Sequence, residues 1–269
     1  MAQQTQPNLQ DLIDFAHTLA DASGEAIRPY FRAPIEVNNK DGNQGFDPVT
    51  AADEGAERVI AAAVAARWPD HGFVGEEHGA TLPDARLRWV VDPIDGTRAF
   101  IMGWPMWGTL IGLLDRGKPV LGLMDQPFTR ERFWSGKDAA YMRAAQSAEP
   151  VRIKTRPCPS LADAVLSTTH PDLFGTVGET DAFARLKARV RMTRYGGDCY
   201  GYCLLAAGFG DLIVESGLKP YDVVALIPII EKAGGRITTW EGKPATEGGR
   251  IVAAGDPRLH EEALKILAG

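Results

Sequence analysis

The feature that most constrains this chain is the hexapeptide Asp92-Pro93-Ile94-Asp95-Gly96-Thr97, which follows an apolar, strand-like run from Leu87 to Val91. Proline cannot donate a hydrogen bond within a central strand, and glycine permits a tight bend, so both carboxylates are expected at a strand end. Two carboxylates this close repel each other unless a cation lies between them, and Mg²⁺ prefers such oxygen ligands. The hexapeptide therefore favours a site for metal and phosphate, although a surface double turn has the same composition.

Further acidic segments favour the metal site over the surface turn. Gly75-Glu76-Glu77 follows an apolar pair at another predicted strand end. Tyr221-Asp222 opens an apolar stretch, 223–230, which places Asp222 in the first turn of a largely buried helix. Each segment alone is explained by solvated carboxylates or by a helix cap. Together with Asp47, in the segment 47–53, they are hard to explain as caps and turns.

In this order the motifs resemble those of the inositol monophosphatase-like, lithium-sensitive phosphatases. The resemblance covers Asp47 to Gly235 and joins an acidic residue, Glu-Glu, Asp-Pro-Ile-Asp-Gly-Thr, and an aromatic-Asp pair followed by Gly-Gly. Tyr221 stands where the family usually has Trp, and with the segments 216–222 and 195–200 it is similar to the histidinol-phosphate phosphatase branch. The resemblance implies a fold that combines α/β and α+β parts. This fold is the layered αβαβα sandwich of the inositol monophosphatase and fructose bisphosphatase type, with the metal site between its two halves.

The resemblance also implies a ligand set for two or three Mg²⁺ ions. Glu76, Asp92 and the Ile94 carbonyl are expected to hold one ion. Asp92, Asp95 and Asp222 are expected to hold the second, so that Asp92 bridges the two. Hydrolysis of a phosphomonoester requires neutralised phosphoryl oxygens, an activated water and a stabilised leaving group, all of which bound Mg²⁺ can supply.

The catalytic residues follow from the same resemblance. Thr97 is expected to orient and deprotonate the attacking water. Asp47 is expected to accept the proton of the Thr97 hydroxyl, and Glu76 to assist. The backbone N–H groups of Gly96 and Thr97 are predicted to bind the phosphate, because the free N–H groups at a helix start attract anions.

The leaving-group pocket is predicted to contain two further carboxylates. Glu215 lies seven residues before Asp222, where family members contact the hydroxyls of the substrate. Asp198 takes a position that is small in inositol phosphatases. Two carboxylates favour a cationic leaving group such as histidinol; the alternative for Asp198 is an N-cap of the helix 199–207. Arg194 is predicted to contact phosphate or a partner subunit.

Composition limits the remaining function classes. The 269 residues, 45% hydrophobic and 24% charged, predict a globular protein. The pattern of predicted helices and strands divides it into an α+β half over residues 1–146, which carries most of the metal ligands that the resemblance implies, and an α/β half over 147–269. No apolar run approaches the roughly 20 residues that cross a bilayer, and the polar N-terminus has no signal-peptide pattern. We therefore expect a cytoplasmic protein with no membrane partner. A net charge of −6 argues against nucleic acid.

The sequence thus predicts a Mg²⁺-dependent, lithium-sensitive phosphatase that acts on a small phosphorylated metabolite and forms a homodimer, as the family commonly does. The predicted reaction is hydrolysis of L-histidinol phosphate to L-histidinol and phosphate in histidine biosynthesis. An inositol monophosphatase, or a broad sugar or nucleotide phosphatase, is the alternative within the enzyme class. A second alternative is a non-catalytic family member. The intact acidic set argues against it, because a scaffold has no need of mutually repelling carboxylates.

Overall fold

The computed structural model describes residues 7–40, 48–145, 147 and 149–269. These described residues form eight α-helices: α1 Leu9–Ile27, α2 Ala51–Arg67, α3 Thr97–Ile101, α4 Val177–Lys187, α5 Asp198–Ala206, α6 Pro220–Val223, α7 Leu226–Ala233 and α8 Pro257–Ala268. They also form fifteen strands: β1 Val37–Asn39, β2 Pro48–Thr50, β3 Gly72–Gly75, β4 Gly79–Thr81, β5 Leu87–Asp95, β6 Gly108–Asp115, β7 Lys118–Gln126, β8 Glu131–Ser135, β9 Ala140–Arg143, β10 Val151–Ile153, β11 Val165–Thr168, β12 Met192–Tyr195, β13 Leu212–Leu218, β14 Arg236–Thr239 and β15 Gly249–Ala254. None of the described helices is both long and apolar enough to span a membrane.

Two large sheets organise the fold. The first has the strand order β10-β9-β8-β7-β6-β5-β3-β4 and is antiparallel except where β3 runs parallel to β5. The second has the order β12-β11-β13-β15-β14, with β11 parallel to both of its neighbours and β15 antiparallel to both of its own. Because β10 still pairs with β9, the chain changes sheet after Ile153. The division into two halves at residue 146 stays a prediction.

The helices form three layers around the two sheets. On the outer face of the first sheet lie α1 and α2, where Leu19 is fully buried. Between the two sheets lie α5 and α7, with Ile230 in the shared core. On the outer face of the second sheet lie α4 and α8, which bury Leu186 and Leu259. This order of layers confirms the predicted αβαβα sandwich.

Several element bounds follow capping residues that are visible in the sequence. Asn8 caps α1, and Thr50 caps α2 through a reciprocal capping box with Asp53. Asp256 caps α8, where Pro257 takes the first helical position, which suits a residue without an N–H group. Such caps satisfy backbone donors that a helix start leaves free, so local sequence sets where these helices begin.

The central helix layer lies directly on the first sheet at two glycines. A Cβ at Gly122 of β7 would lie 1.8 Å from the Ala225 carbonyl oxygen, and a Cβ at Gly112 of β6 would lie 2.7 Å from Val224 Cγ1. The chain between α6 and α7 therefore reaches the sheet backbone itself. The sequence predicted continuous helical structure over 223–230, whereas the structure breaks it at this contact. The contact holds Asp222, in α6, over the first sheet.

Candidate active site

The strand β5 continues through Pro93 to Asp95, past the end at Val91 that the sequence predicts, and Gly96 and Thr97 follow it. The register between β5 and β6 shifts between Asp92 and Asp95, which bends the strand end. The Asp92 side chain turns back and accepts the Ile94 N–H at 3.0 Å. Gly96 adopts φ +87°, and a Cβ there would lie 2.7 Å from the Met106 carbonyl oxygen. Glycine is therefore required at this turn, and both aspartates line one cavity.

Three aspartates from two distant segments meet at this strand end. One carboxylate oxygen from each of Asp92, Asp95 and Asp222 lies within 4.8 Å of the others. The Lys219 N–H donates to Asp222 Oδ2 at 2.7 Å, and the Cys199 N–H donates to Asp95 Oδ1 at 3.1 Å. The structure therefore brings together the three carboxylates that the resemblance places around one ion.

Burial and mutual repulsion raise the pKa values of these aspartates. The pKa of Asp92 lies well above its ordinary value because the carboxylate is buried and close to Glu76, Asp95 and Asp222. Burial likewise raises the pKa of Asp222 to about 7. A cluster that disfavours its own negative charge is stabilised by a divalent cation, and its all-oxygen donor set suits Mg²⁺. These residues therefore fit the metal that the resemblance implies.

Glu76 lines the same cavity and pairs with a lysine that the sequence does not single out. Lys40 Nζ lies 2.7 Å from Glu76 Oε1 and 2.9 Å from Glu77 Oε1. Although burial lowers it, the pKa of Lys40 is raised overall by hydrogen bonds to these two carboxylates. The ammonium group thus neutralises part of the acidic charge. No spacing or motif in the sequence connects Lys40 with the Glu-Glu pair, because the two segments meet only in the folded chain.

The backbone of the Glu-Glu segment is fixed by Glu57, a fully buried residue of α2. Its carboxylate accepts the N–H groups of Glu77 and His78, each at 2.8 Å, and contacts His78 Nδ1 at 2.9 Å. A Cβ on Gly75 would lie 2.2 Å from the Glu57 carboxyl carbon. Only glycine therefore lets β3 approach α2 this closely. Through these backbone contacts Glu57 sets the position of Glu76.

We expect Gly75→Ala to lower both thermal stability and activity, because the added methyl group displaces the Glu57 carboxylate from two backbone N–H groups. Overpacking of this kind typically costs about 1–3 kcal/mol. Gly55→Ala is the matched control, since a Cβ there meets nothing within 4 Å. In a helix interior this change stabilises by roughly 0.5–1 kcal/mol. Thermal unfolding and initial rates check both variants, and a Gly75→Ala protein with wild-type stability would contradict this account.

Asp47, the predicted partner of Thr97, lies outside the described residues. Asp53 of α2 is a second acidic candidate from the same segment, and it is fully buried. Its Oδ2 accepts the Thr50 N–H at 2.9 Å and the Thr50 hydroxyl at 2.5 Å, whereas its Oδ1 has no partner in the described parts of the chain. Burial raises the pKa of Asp53 to about 6, with repulsion from Glu76 as a lesser cause. The sequence does not indicate a role for Asp53 in the site, because its position in the helix cap already explains an aspartate there.

Thr97 begins the five-residue helix α3, with Gly96 at its N-cap. The Thr97 hydroxyl donates to the Ile94 carbonyl oxygen at 3.0 Å. That carbonyl is the predicted backbone ligand, so the hydroxyl and the proposed cation site share one oxygen. Both Gly96 and Thr97 line the cavity. Their roles in phosphate binding and in water activation stay predictions.

The cavity has a volume of about 930 Å³ and joins the aspartate cluster to the two predicted leaving-group carboxylates. Glu215, in β13, is buried, and its Oε1 accepts the Thr169 N–H at 2.9 Å and the Thr169 hydroxyl at 2.8 Å. Burial raises the pKa of Glu215 to about 7. Glu215 therefore forms a fixed acidic wall of the cavity.

Asp198 opens α5 in the left-handed region, with φ +43°. Gly197, rather than Asp198, occupies the N-cap of α5, so the structure does not favour the capping alternative. Burial raises the pKa of Asp198 to about 6, opposed by the nearby Arg98 guanidinium and by a hydrogen bond with the Thr169 side chain. Strain of this kind in a non-glycine residue is commonly found at functional sites.

Arg194 and Tyr221 lie at the margins of the site. Arg194 is exposed in β12, opposite Ser167 of β11. Among the described residues that line the cavity, its neighbour Tyr195 is present and Arg194 is absent. The geometry thus does not favour contact of Arg194 with phosphate, and contact with a partner subunit stays a prediction. Tyr221 packs against a small apolar cluster: Val90, Leu114 and Val224.

Comparison with known proteins assigns the chain to a family. A profile described as the inositol monophosphatase family matches residues 8–268. The chain belongs to the inositol monophosphatase family. Bifunctional phosphatase IMPL2, chloroplastic, of Arabidopsis thaliana is 46% identical over 93% of this chain and 73% of that protein. Histidinol-phosphatase of Mycobacterium tuberculosis is 32% identical over 96% of this chain and 98% of that protein.

A solved structure agrees with this assignment. An inositol monophosphatase from Zymomonas mobilis has a TM-score of 0.86 to this chain at 43% identity, and the match covers 98% of this chain and 100% of that one. The chain is accordingly a phosphatase of this family, a hydrolase of phosphate monoesters. Its relatives carry the names of different substrates, so similarity alone does not choose between histidinol phosphate and inositol phosphate.

Proposed function

We propose that this phosphatase depends on Mg²⁺ and that its main substrate is L-histidinol phosphate, which it hydrolyses to L-histidinol and phosphate. The observation that carries the proposal is the cavity, whose lining joins the aspartate cluster to two further carboxylates, Asp198 and Glu215. Cations in the cluster attract the phosphate, whereas the two further carboxylates attract a cationic leaving group. The similarity to the histidinol-phosphatase of Mycobacterium tuberculosis supports the same substrate.

The residues of the cluster are proposed to hold the metal ions: Glu76, Asp92, the Ile94 carbonyl, Asp95 and Asp222. When bound, Mg²⁺ neutralises the phosphoryl oxygens and lowers the pKa of the attacking water. The Thr97 hydroxyl orients this water, Asp47 accepts the proton of that hydroxyl, and Glu76 assists. The N–H groups of Gly96 and Thr97 hold the phosphate.

The leaving-group side favours a cation over a neutral polyol. Arg98 lies near Asp198 and balances part of its charge. Glu215, in contrast, is hydrogen-bonded to the neutral Thr169, so this side of the cavity remains acidic. The ammonium and imidazole of histidinol match such a wall, whereas the hydroxyls of inositol gain less from it.

A second candidate substrate is an inositol monophosphate. The observation that favours it is the 43% identity to an inositol monophosphatase of known structure, with the whole fold shared. A non-catalytic role is disfavoured by the three aspartates that lie together in the cavity. A cluster of repelling carboxylates lowers folding stability and has no use in a protein that binds no cation.

We expect kcat/KM to be highest for L-histidinol phosphate and at least about 10-fold lower for inositol 1-phosphate, since a polar pocket discriminates strongly between unlike leaving groups. Initial rates are measured on both substrates and on adenosine 3′,5′-bisphosphate, with Mg²⁺ and with EDTA. EDTA should abolish turnover, and lithium should inhibit it. Full turnover in EDTA would contradict the metal dependence, and a preference for inositol 1-phosphate would select the second candidate.

A further inference from the structure

Tyr202 of α5 lines the cavity and has a buried hydroxyl for which the described structure offers no partner. The residue is 2% exposed and lines the cavity. Its hydroxyl oxygen forms no hydrogen bond with any described residue. A buried hydroxyl without a partner lowers folding stability, so its presence at a substrate cavity points to a partner that binds there.

Three carboxylates of the site influence this hydroxyl. Burial, followed by the charges of Glu215, Asp95 and Asp222, raises the pKa of Tyr202 well above its ordinary value. The hydroxyl therefore keeps its proton at neutral pH, and it can donate one hydrogen bond and accept others. Tyr202 lines the same cavity as Glu215, the predicted leaving-group carboxylate.

Other tyrosine and tryptophan side chains do not share this arrangement. Tyr200, on the same helix, faces the first sheet with its ring 6.0 Å from that of Phe133, and its hydroxyl donates to Glu131. Other described side chains with an unpartnered buried polar atom, such as Trp107, lie outside the residues that line the cavity. In the part of the chain that the structure describes, Tyr202 alone combines the two properties.

We propose that Tyr202 determines specificity, through a hydrogen bond between its hydroxyl and the polar leaving group of the substrate. For an amino-alcohol phosphate such as histidinol phosphate, the bonded atom is a nitrogen: imidazole can accept the hydroxyl proton, and ammonium can donate to the hydroxyl oxygen. The inference rests on the proposed function. The hydroxyl is shielded from water, and a polar group that is left unpaired in such a place discriminates strongly against substrates that lack its partner.

Tyr202→Phe tests this role, because it removes the hydroxyl and keeps the ring. We expect kcat/KM for L-histidinol phosphate to fall about 10-fold, the effect of one lost hydrogen bond in a shielded site. The value for phenyl phosphate, whose leaving group has no polar atom beyond the ester oxygen, should change less than about twofold. The melting temperature of the metal-free protein should rise by about 2–4 °C, since an unpaired buried polar atom is removed.

Tyr200→Phe is the matched control. It removes a hydroxyl that is bonded to Glu131, so it should lower the melting temperature and leave the ratio of the two kcat/KM values unchanged. A lower melting temperature for Tyr202→Phe would overturn the proposal, because the hydroxyl would then be a structural group. An equal loss on both substrates, or no loss, would overturn it as well.

The experiment separates this proposal from the proposed function. If the wild-type protein prefers inositol 1-phosphate to L-histidinol phosphate, the proposed function fails. The ratio of the kcat/KM values for inositol 1-phosphate and phenyl phosphate, compared between the wild type and Tyr202→Phe, then still decides whether the Tyr202 hydroxyl contacts the leaving group. A selective loss on inositol 1-phosphate supports that contact, and a uniform response refutes it.

Discussion

Asp92→Asn is expected to lower kcat/KM by more than about 100-fold and, in EDTA, to raise the melting temperature. Activity falls because the proposed bridging ligand loses its charge; changing a group that only orients a metal ligand already costs roughly 10–100-fold. The local shape is kept, since asparagine still offers Oδ1 to the Ile94 N–H. Stability rises because burial and repulsion by neighbouring carboxylates raise the pKa of Asp92, so that its ionised form opposes folding when no cation is bound.

Initial rates and thermal unfolding, each with and without Mg²⁺, measure both effects. Mg²⁺ should raise the melting temperature of the wild-type protein, because a ligand that binds the folded state stabilises it. The variant should lose this response. Asp115→Asn is the control. Asp115 ends β6 and lies opposite Leu87, at the far end of β5 from Asp92, and it pairs with Arg86 at 2.8 Å. A variant of Asp92 that remains active, or that still responds fully to Mg²⁺, would contradict the assignment.

The three aspartates that meet in the cavity could be predicted from the sequence because local chemistry places each of them. Pro93 lies at the register shift between Asp92 and Asp95, and Gly96 follows the end of the strand that carries them. A helix start after Lys219 likewise places Asp222 in a first turn. What joins these segments is the αβαβα fold, which the order of the motifs implies through the family resemblance.

Residues that support the ligands could not be predicted in this way. Glu57 lies in an alanine-rich helix, and glutamate is usually exposed to solvent. It is nevertheless fully buried and bonded to the backbone of the Glu-Glu segment. Lys40, which follows β1, meets Glu76 only in the folded chain. The left-handed conformation of Asp198 is equally invisible, since no sequence rule assigns φ +43° to an aspartate that opens a helix. Each of these depends on contacts between distant segments.

Asp198→Asn is expected to lower kcat/KM for L-histidinol phosphate by about 30-fold or more, and that for inositol 1-phosphate much less. Truncating one member of a desolvated charge pair costs roughly 2 kcal/mol or more, which corresponds to this factor. Asparagine is preferred to alanine because it tolerates the left-handed region that Asp198 occupies. It can also keep a hydrogen bond with the Thr169 side chain, so the folded structure should be little changed.

The neighbouring Arg98 affects what Asp198→Asn is expected to do. Its guanidinium lies close enough to Asp198 to lower the pKa of that carboxyl, so Asp198→Asn makes the surroundings of the leaving group more positive. A cationic leaving group then loses an attraction, whereas a neutral polyol does not. Initial rates on the two substrates, with melting temperatures, separate the outcomes. If both rates fall together with stability, Asp198 is structural; if neither changes, the acidic wall does not select the substrate.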